Sequence, residues 1–302
     1  MQVRALPGLL KEAASEWVGD NAPRLSAALA YYAIFSLAPL VIITISIAGL
    51  VFGEEAARGQ ISEQIKGLAG EQAGNAIQSV VKSTDHKGAS IFAASAGLIV
   101  LLFGASGVFG ELKNALNTIW GVVTKPGKPV MSLIRSRFLS FGMVLAIGFL
   151  LLISLAISAA LSAIGTYMRN LLVLAPIVWQ GVEFLISFAV VTVLFAMIFK
   201  FLPDVKIRWR DVWIGAIGTA LLFAIGKTLI GLYLGASSVG SSYGAAGSAI
   251  IILLWIYYSS CILFYGAEFT KVYAKRLGCG ITPTEDAMPL RDAMKEKQEK
   301  RK

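Results

Sequence analysis

The sequence predicts an all-α polytopic membrane protein: six transmembrane helices, N- and C-termini in the cytoplasm, and amphipathic helices at the membrane interfaces. Two features of composition and one of charge placement lead there. Of 302 residues, 56% are hydrophobic and only 15% are charged, whereas a soluble domain carries about 25% charged residues. The deficit is concentrated in long runs with almost no charge, and a helix needs about 20 apolar residues to cross a hydrocarbon core of about 30 Å. The basic residues then gather in alternate connections between those runs.

The apolar runs lie at approximately 26–53, 89–109, 138–165, 177–200, 212–235 and 249–271. Backbone amides in lipid must be bonded within their own segment, so these runs are helices unless they close into a barrel. Barrel strands alternate apolar and polar over short stretches, and these runs do not. With the N-terminus inside, segments 1–24, 110–137, 200–211 and 268–302 hold 21 of the 27 Lys and Arg. The outer segments 54–88, 166–176 and 235–248 hold 5. Basic residues near span ends face the cytoplasm, so both termini are placed there. The net charge of +9 then faces an anionic inner leaflet and calls for no nucleic acid.

The connections differ in character. Residues 1–25 read as an amphipathic segment at the membrane surface, with Leu6, Leu9, Leu10 and Trp17 on its greasy side. Ahead of the first span there is no basic start running directly into an apolar stretch, so this span reads as an uncleaved anchor. In the outer loop, Ile61, Ile65, Leu68, Ile77, Val80 and Val81 recur at helical spacing. Leu112, Leu116, Ile119 and Trp120 form one stripe of a helix at the inner interface, which Lys125-Pro-Gly-Lys-Pro129 breaks. Segment 235–248 is almost entirely small residues. The domain organisation is thus an N-terminal segment, a six-span domain over 26–275 and a basic cytoplasmic tail, 276–302, expected to be disordered.

Several residues together resemble the YihY/BrkB family of bacterial inner-membrane proteins. They are Asp20 with Pro23, Ala27-Ala-Leu-Ala-Tyr-Tyr32 and Phe35-Ser-Leu-Ala-Pro-Leu40. Further along come Ala115-Leu-Asn117 with Ile119-Trp120-Gly121, and Phe201-Leu-Pro-Asp204 with Trp209. The last are Tyr243-Gly244, Gly247-Ser248, Trp255 and Gly266-Ala-Glu268. The resemblance covers roughly 15–275 and rests on the order and spacing of these groups. It implies a six-span inner-membrane protein, discussed as a transporter or an envelope-resistance factor. It also carries an older ribonuclease label, which reads as a misassignment.

Catalytic chemistry is nearly absent from the residues. The single histidine, His86, has no second histidine or cysteine beside it to hold a metal. Gly226-Lys-Thr228 imitates the end of a phosphate loop, but Leu221 stands where its first glycine is required. Neither a cofactor nor catalytic residues are expected. The sharper signal is a pair of charges inside spans, because such residues mark a pathway or pair with one another. Glu183 in the fourth span lies about 9 Å below the outer surface and Lys227 in the fifth about 12 Å. They are expected to line a polar cavity holding an anionic or zwitterionic group; the plainer alternative is that Lys227 snorkels to the interface.

Pro39 should kink the first span, and interrupted helices of this kind build binding sites in transporters. Tyr31, Tyr32, Trp255 and Tyr258 are polar-tipped aromatics suited to the same cavity, or to core packing. Asp20 with Arg24, and Glu268 with Lys271, sit at the inner ends of the first and last spans as candidate inner-gate charges or interfacial anchors. The pairs Gly49/Gly53 and Gly231/Gly235 fit close helix contact.

The function expected is an inner-membrane transporter or lipid-handling protein acting on an amphipathic envelope molecule. Its partners are then membrane lipids and a lipid-like substrate, with no nucleic acid and no oligomeric state implied. The alternative is a non-transporting scaffold of the cell envelope that works through its outer loop and basic tail.

Overall fold

A computed structural model of the chain describes residues 6–36, 59, 75, 107–125, 175–236, 247–278 and 280–299. The fourth, fifth and sixth apolar runs are long helices, which we label α4 (Ala175–Phe201), α5 (Trp209–Ala236) and α6 (Gly247–Arg276). Within them, Phe184–Phe201, Trp209–Leu234 and Ala249–Arg276 are long and apolar enough to cross a membrane. The first three runs, the outer loop 54–88 and Pro39 fall largely or wholly outside the described residues. What is described of those runs, 26–36 and 107–109, is helical.

α5 packs between α4 and α6. Association of helices in lipid depends on close packing rather than on hydrophobic exclusion, and the α5–α6 contact shows how it is reached. Gly215 on α5 faces Thr270 on α6, and Gly266 on α6 faces Thr219 on α5, so the helices run antiparallel. Each threonine hydroxyl donates to the glycine carbonyl one turn back in its own helix, Thr219 to Gly215 at 2.7 Å and Thr270 to Gly266 at 2.6 Å. The polar atoms are thereby satisfied inside the seam. Gly231, one of the glycines expected at a helix contact, meets none of the described residues.

Exposed apolar side chains recur at every turn of α5, on a stripe that winds around the helix: Trp209, Trp213, Ile217, Leu221, Ile225, Leu229 and Tyr233. From Trp213 to Tyr233 is about 30 Å along the axis, the thickness of a hydrocarbon core. Apolar side chains between two aromatic ends are what a lipid-facing helix presents.

The segments assigned to the inside meet at one end of this bundle. Helix α1 (Leu6–Gly19) lies on α6, with Leu9 and Ala13 against Phe269, Val272 and Tyr273. The Tyr265 hydroxyl donates to the Leu10 carbonyl at 3.1 Å. The greasy side of α1 is therefore covered in part by protein, while Leu10 remains 37% exposed. Asn21, at φ 53°, turns the chain into α2 (22–36). Helix α3 (107–119) buries Leu112, Leu116, Ile119 and Trp120 in one core with Phe195, Phe199, Val212 and Phe264. The stripe of this helix faces the protein interior.

The tail departs from expectation. Strands β1 (Val122–Thr124) and β2 (Val205–Lys206) lie in the connections after α3 and α4. The tail supplies β3 (Thr282–Pro283) and β4 (Ala287–Pro289), then α7 (Leu290–Glu299). β4 pairs antiparallel with β1 and β3 with β2. Residues 282–299 are therefore ordered rather than disordered. They have too few apolar side chains to form a core alone, but their backbone groups find partners in two distant connections.

Candidate functional site

Three groups of polar side chains stand out against this apolar background. The most buried is built on Glu268 and Lys271, one turn apart on α6, and on Glu16 and Asp20, one turn apart at the end of α1. The Lys271 ammonium lies 2.6 Å from Glu268 Oε2, 2.5 Å from Glu16 Oε2 and 3.3 Å from Asp20 Oδ2. It donates to the Ile119 carbonyl at 2.7 Å. Ile119 ends α3, so that carbonyl belongs to the unpaired, negative end of a helix, where a cation is favoured. Glu268 is fully buried and Lys271 is 5% exposed. Glu268 Oε2 meets the ammonium as an ion pair off hydrogen-bond geometry, and its Oε1 has no hydrogen-bond partner among the described residues.

Because Thr270 faces Gly215, this cluster stands near the level of Trp213, at one margin of the apolar stripe. Of the four charges read as an inner gate, Asp20, Glu268 and Lys271 come together. Arg24 does not: it is exposed and makes no ion pair among the described residues. Glu16 and the Ile119 carbonyl were not anticipated. Glu16 was open to inference, since it precedes Asp20 by four residues and shares its helix face.

The second group ties α3 to the α4–α5 connection. Asn117 Nδ2 donates to Asp204 Oδ2 at 3.0 Å, and the Asp204 backbone N–H donates to Asn117 Oδ1 at 2.8 Å. Lys113 pairs with Asp204 Oδ1 at 2.9 Å. The Thr284 N–H of the tail donates to the Asp204 carbonyl at 3.0 Å. Asn117 thus holds a charged acceptor and a backbone donor at once, and hydrogen bonds to charged groups contribute about 1.5–3 kcal/mol each. Asn117→Ala is expected to lower stability by about 2 kcal/mol, read as a lower midpoint of thermal unfolding in detergent.

The third is a cleft of about 190 Å³ between α4 and α5, walled by Phe184, Phe188, Val191 and Phe223, with Lys227, Ser187 and Thr228 on its lining. Glu183 occupies the turn of α4 beside Phe184; its side chain lies outside the described residues. Trp255 stands edge-on to Phe223 at 6.4 Å, and Tyr258 packs at Gly226. Tyr31 and Tyr32 line no part of this cleft. They are exposed on α2, where Tyr31 meets Tyr32 and Phe35 edge-on and Tyr32 covers Gly107 of α3.

The residues that the resemblance joined in order along the chain, Asn117 with Asp204 and Asp20 with Glu268, are joined here in space. Residues 13–291 match the family model described as Virulence factor BrkB. The chain belongs to the BrkB family. Among its BrkB relatives is a UPF0761 membrane protein of Pseudomonas aeruginosa (strain LESB58), 29% identical over 259 residues, covering 84% of this chain and 60% of that one. Another, from Rhodospirillum centenum (strain ATCC 51521 / SW), is 26% identical over 266 residues, 87% of this chain and 56% of that one. A Bacillus subtilis (strain 168) protein named ribonuclease-like, YfkH, is 23% identical over 274 residues, 88% of this chain and 95% of that one. The chain spans about 60% of the length of the first of these relatives. No solved structure matches it. Membership and the three long apolar helices agree that this BrkB chain is a membrane protein. Among the described residues, no group of three His, Cys, Asp or Glu is placed to hold a metal ion.

Proposed function

We propose that this BrkB chain is a multi-pass protein of the bacterial inner membrane, with six spans and both termini cytoplasmic. In this reading it moves or handles an amphipathic, anionic envelope molecule. The observation that carries it is the composition of the α4–α5 cleft: phenylalanine walls, two hydroxyls and one ammonium, Lys227. The Lys227 ammonium on the cleft lining, with Glu183 on the neighbouring helix, suits an anionic head group held among phenylalanine rings. Acyl chains would lie along the exposed Leu221, Ile225 and Leu229 of α5. The topology is supported by α1, α3, the α4–α5 connection and the tail, which all assemble at one end of the bundle. There Asp20, Glu268 and Lys271, with Glu16, close the inner side.

The test is transbilayer movement of a labelled anionic phospholipid in liposomes holding the purified protein. The wild-type chain is expected to accelerate movement over protein-free liposomes. Lys227→Ala should cut the rate by about tenfold, as expected for the loss of a hydrogen bond to a charged group, and Glu183→Ala should change it as well. Movement no faster than in protein-free liposomes would remove the lipid-transport reading. Unchanged rates in both variants would move the pathway elsewhere in the protein.

A further inference from the structure

Where α4 turns into α5, the side chains divide sharply. The turn buries its apolar residues Leu202, Val205 and Ile207 and presents Lys206, Arg208 and Arg210 outward. Its carboxylates are turned away from that surface: Asp204 is held by Lys113 and Asn117, and Asp211 is 3% exposed. Lys206 has a distant partner, Glu285 at 4.0 Å. Arg208 and Arg210 make no ion pair among the described residues. Beside them stand three exposed aromatic rings, with Phe201 edge-on to Trp209 at 5.8 Å and Trp209 against Trp213 at 6.5 Å. The Lys200 ammonium lies 5.3 Å from the Trp209 ring centre and donates to the Ile207 carbonyl. This fixes the first indole and adds a cation–π contact.

We infer that this corner binds the head group of an anionic phospholipid, the phosphate on the exposed Arg208 and Arg210 side chains that flank Trp209 and the glycerol and upper acyl carbons on Phe201, Trp209 and Trp213. Charge complementarity selects an anion. The aromatic surface selects a lipid over a soluble phosphate. It continues without a break into Ile217 and Leu221 of the lipid-facing stripe, and indole rings favour the depth of the head groups. Arg210 and Lys227 are about 25 Å apart along α5. This lipid is therefore separate from the molecule in the α4–α5 cleft, and the two readings stand or fall apart.

The experiment is native mass spectrometry of the full-length protein in detergent, titrated with phosphatidylglycerol or phosphatidylcholine. The wild-type chain should bind the first more tightly by about 30-fold, as two basic side chains near an anionic surface would give. Arg208→Gln/Arg210→Gln, at exposed positions, should lose that preference in a Lys227→Ala background, where the cleft offers no ammonium, while still binding phosphatidylcholine. Trp209→Leu should weaken both lipids and leave the preference in place. Equal binding of the two lipids by the wild-type chain would overturn the proposal, as would a preference unchanged by the two arginine replacements in that background. Displacement of the lipid by equimolar glycerol phosphate would overturn the lipid assignment in favour of a soluble anion.

Discussion

Replacing Lys271 by methionine is expected to destabilise the fold by about 3–5 kcal/mol, the usual cost of removing one partner from a buried ion pair. The reason lies in what remains. Glu268 is fully buried, and the Lys271 ammonium at 2.6 Å is its ion-pair partner. Without it a carboxylate stands unpaired in an apolar core, and the Ile119 carbonyl loses its donor as well. Glu16 and Asp20 are less exacting, since their side chains keep 30% and 34% of their exposure and retain water. Adding Glu268→Leu to Lys271→Met should therefore restore most of the lost stability, because an apolar pair can replace a buried ionic one at little cost. Thermal unfolding of the purified single and double variants in detergent measures the coupling. A single variant as stable as wild type would show that the cluster does not hold α1, α3 and α6 together.

That cluster also shows what the sequence could and could not disclose. A span declares itself by a long run without charge, so α4, α5 and α6 were placed to within a few residues. Asp20, Glu268 and Lys271 were legible for the complementary reason, as charges at the ends of such runs. Arg24 has the same credentials, yet points away, because which face of a helix turns inward is decided by its neighbours. The tail failed differently. β3 and β4 are two and three residues long, too short for any periodicity. Their partners lie in β1 and β2, more than 70 residues upstream, and nothing local announces such a pairing. The apolar walls of the α4–α5 cleft were equally hidden, since Phe184, Phe188 and Phe223 read as ordinary span residues.

The glycine–threonine seam and the charge cluster depend on the same helices. Lys271 is adjacent in sequence to Thr270, so the register of α6 on α5 sets where the ammonium sits relative to Glu16, Asp20 and the end of α3. Anything that forces α5 and α6 apart should loosen the charge cluster as well as the seam.

Gly266→Val is the direct way to do so, and is expected to destabilise the protein by about 1–3 kcal/mol or more, the range for overpacking a close contact. A Cβ at position 266 would overlap the hydroxyl, the methyl and the Cβ of Thr219. Rotating Thr219 does not relieve this, because its Cβ is part of the overlap and its hydroxyl is committed to the Gly215 carbonyl. The helices must separate, and in lipid no hydrophobic effect draws them together again. Relief should follow only from removing the opposing side chain, so Gly266→Ala/Thr219→Gly is expected to be more stable than Gly266→Ala alone, with Gly266→Ala/Thr219→Ser giving little recovery. Gly231→Ala provides the contrast: a Cβ on that glycine of α5 would meet none of the described residues, and a helical glycine yields about 0.5–1 kcal/mol on conversion to alanine. Unfolding midpoints for this set separate a packing seam from a general intolerance of glycine replacement. If Gly266→Val and Gly231→Ala shift stability alike, the Gly–Thr seam is not what holds α5 against α6.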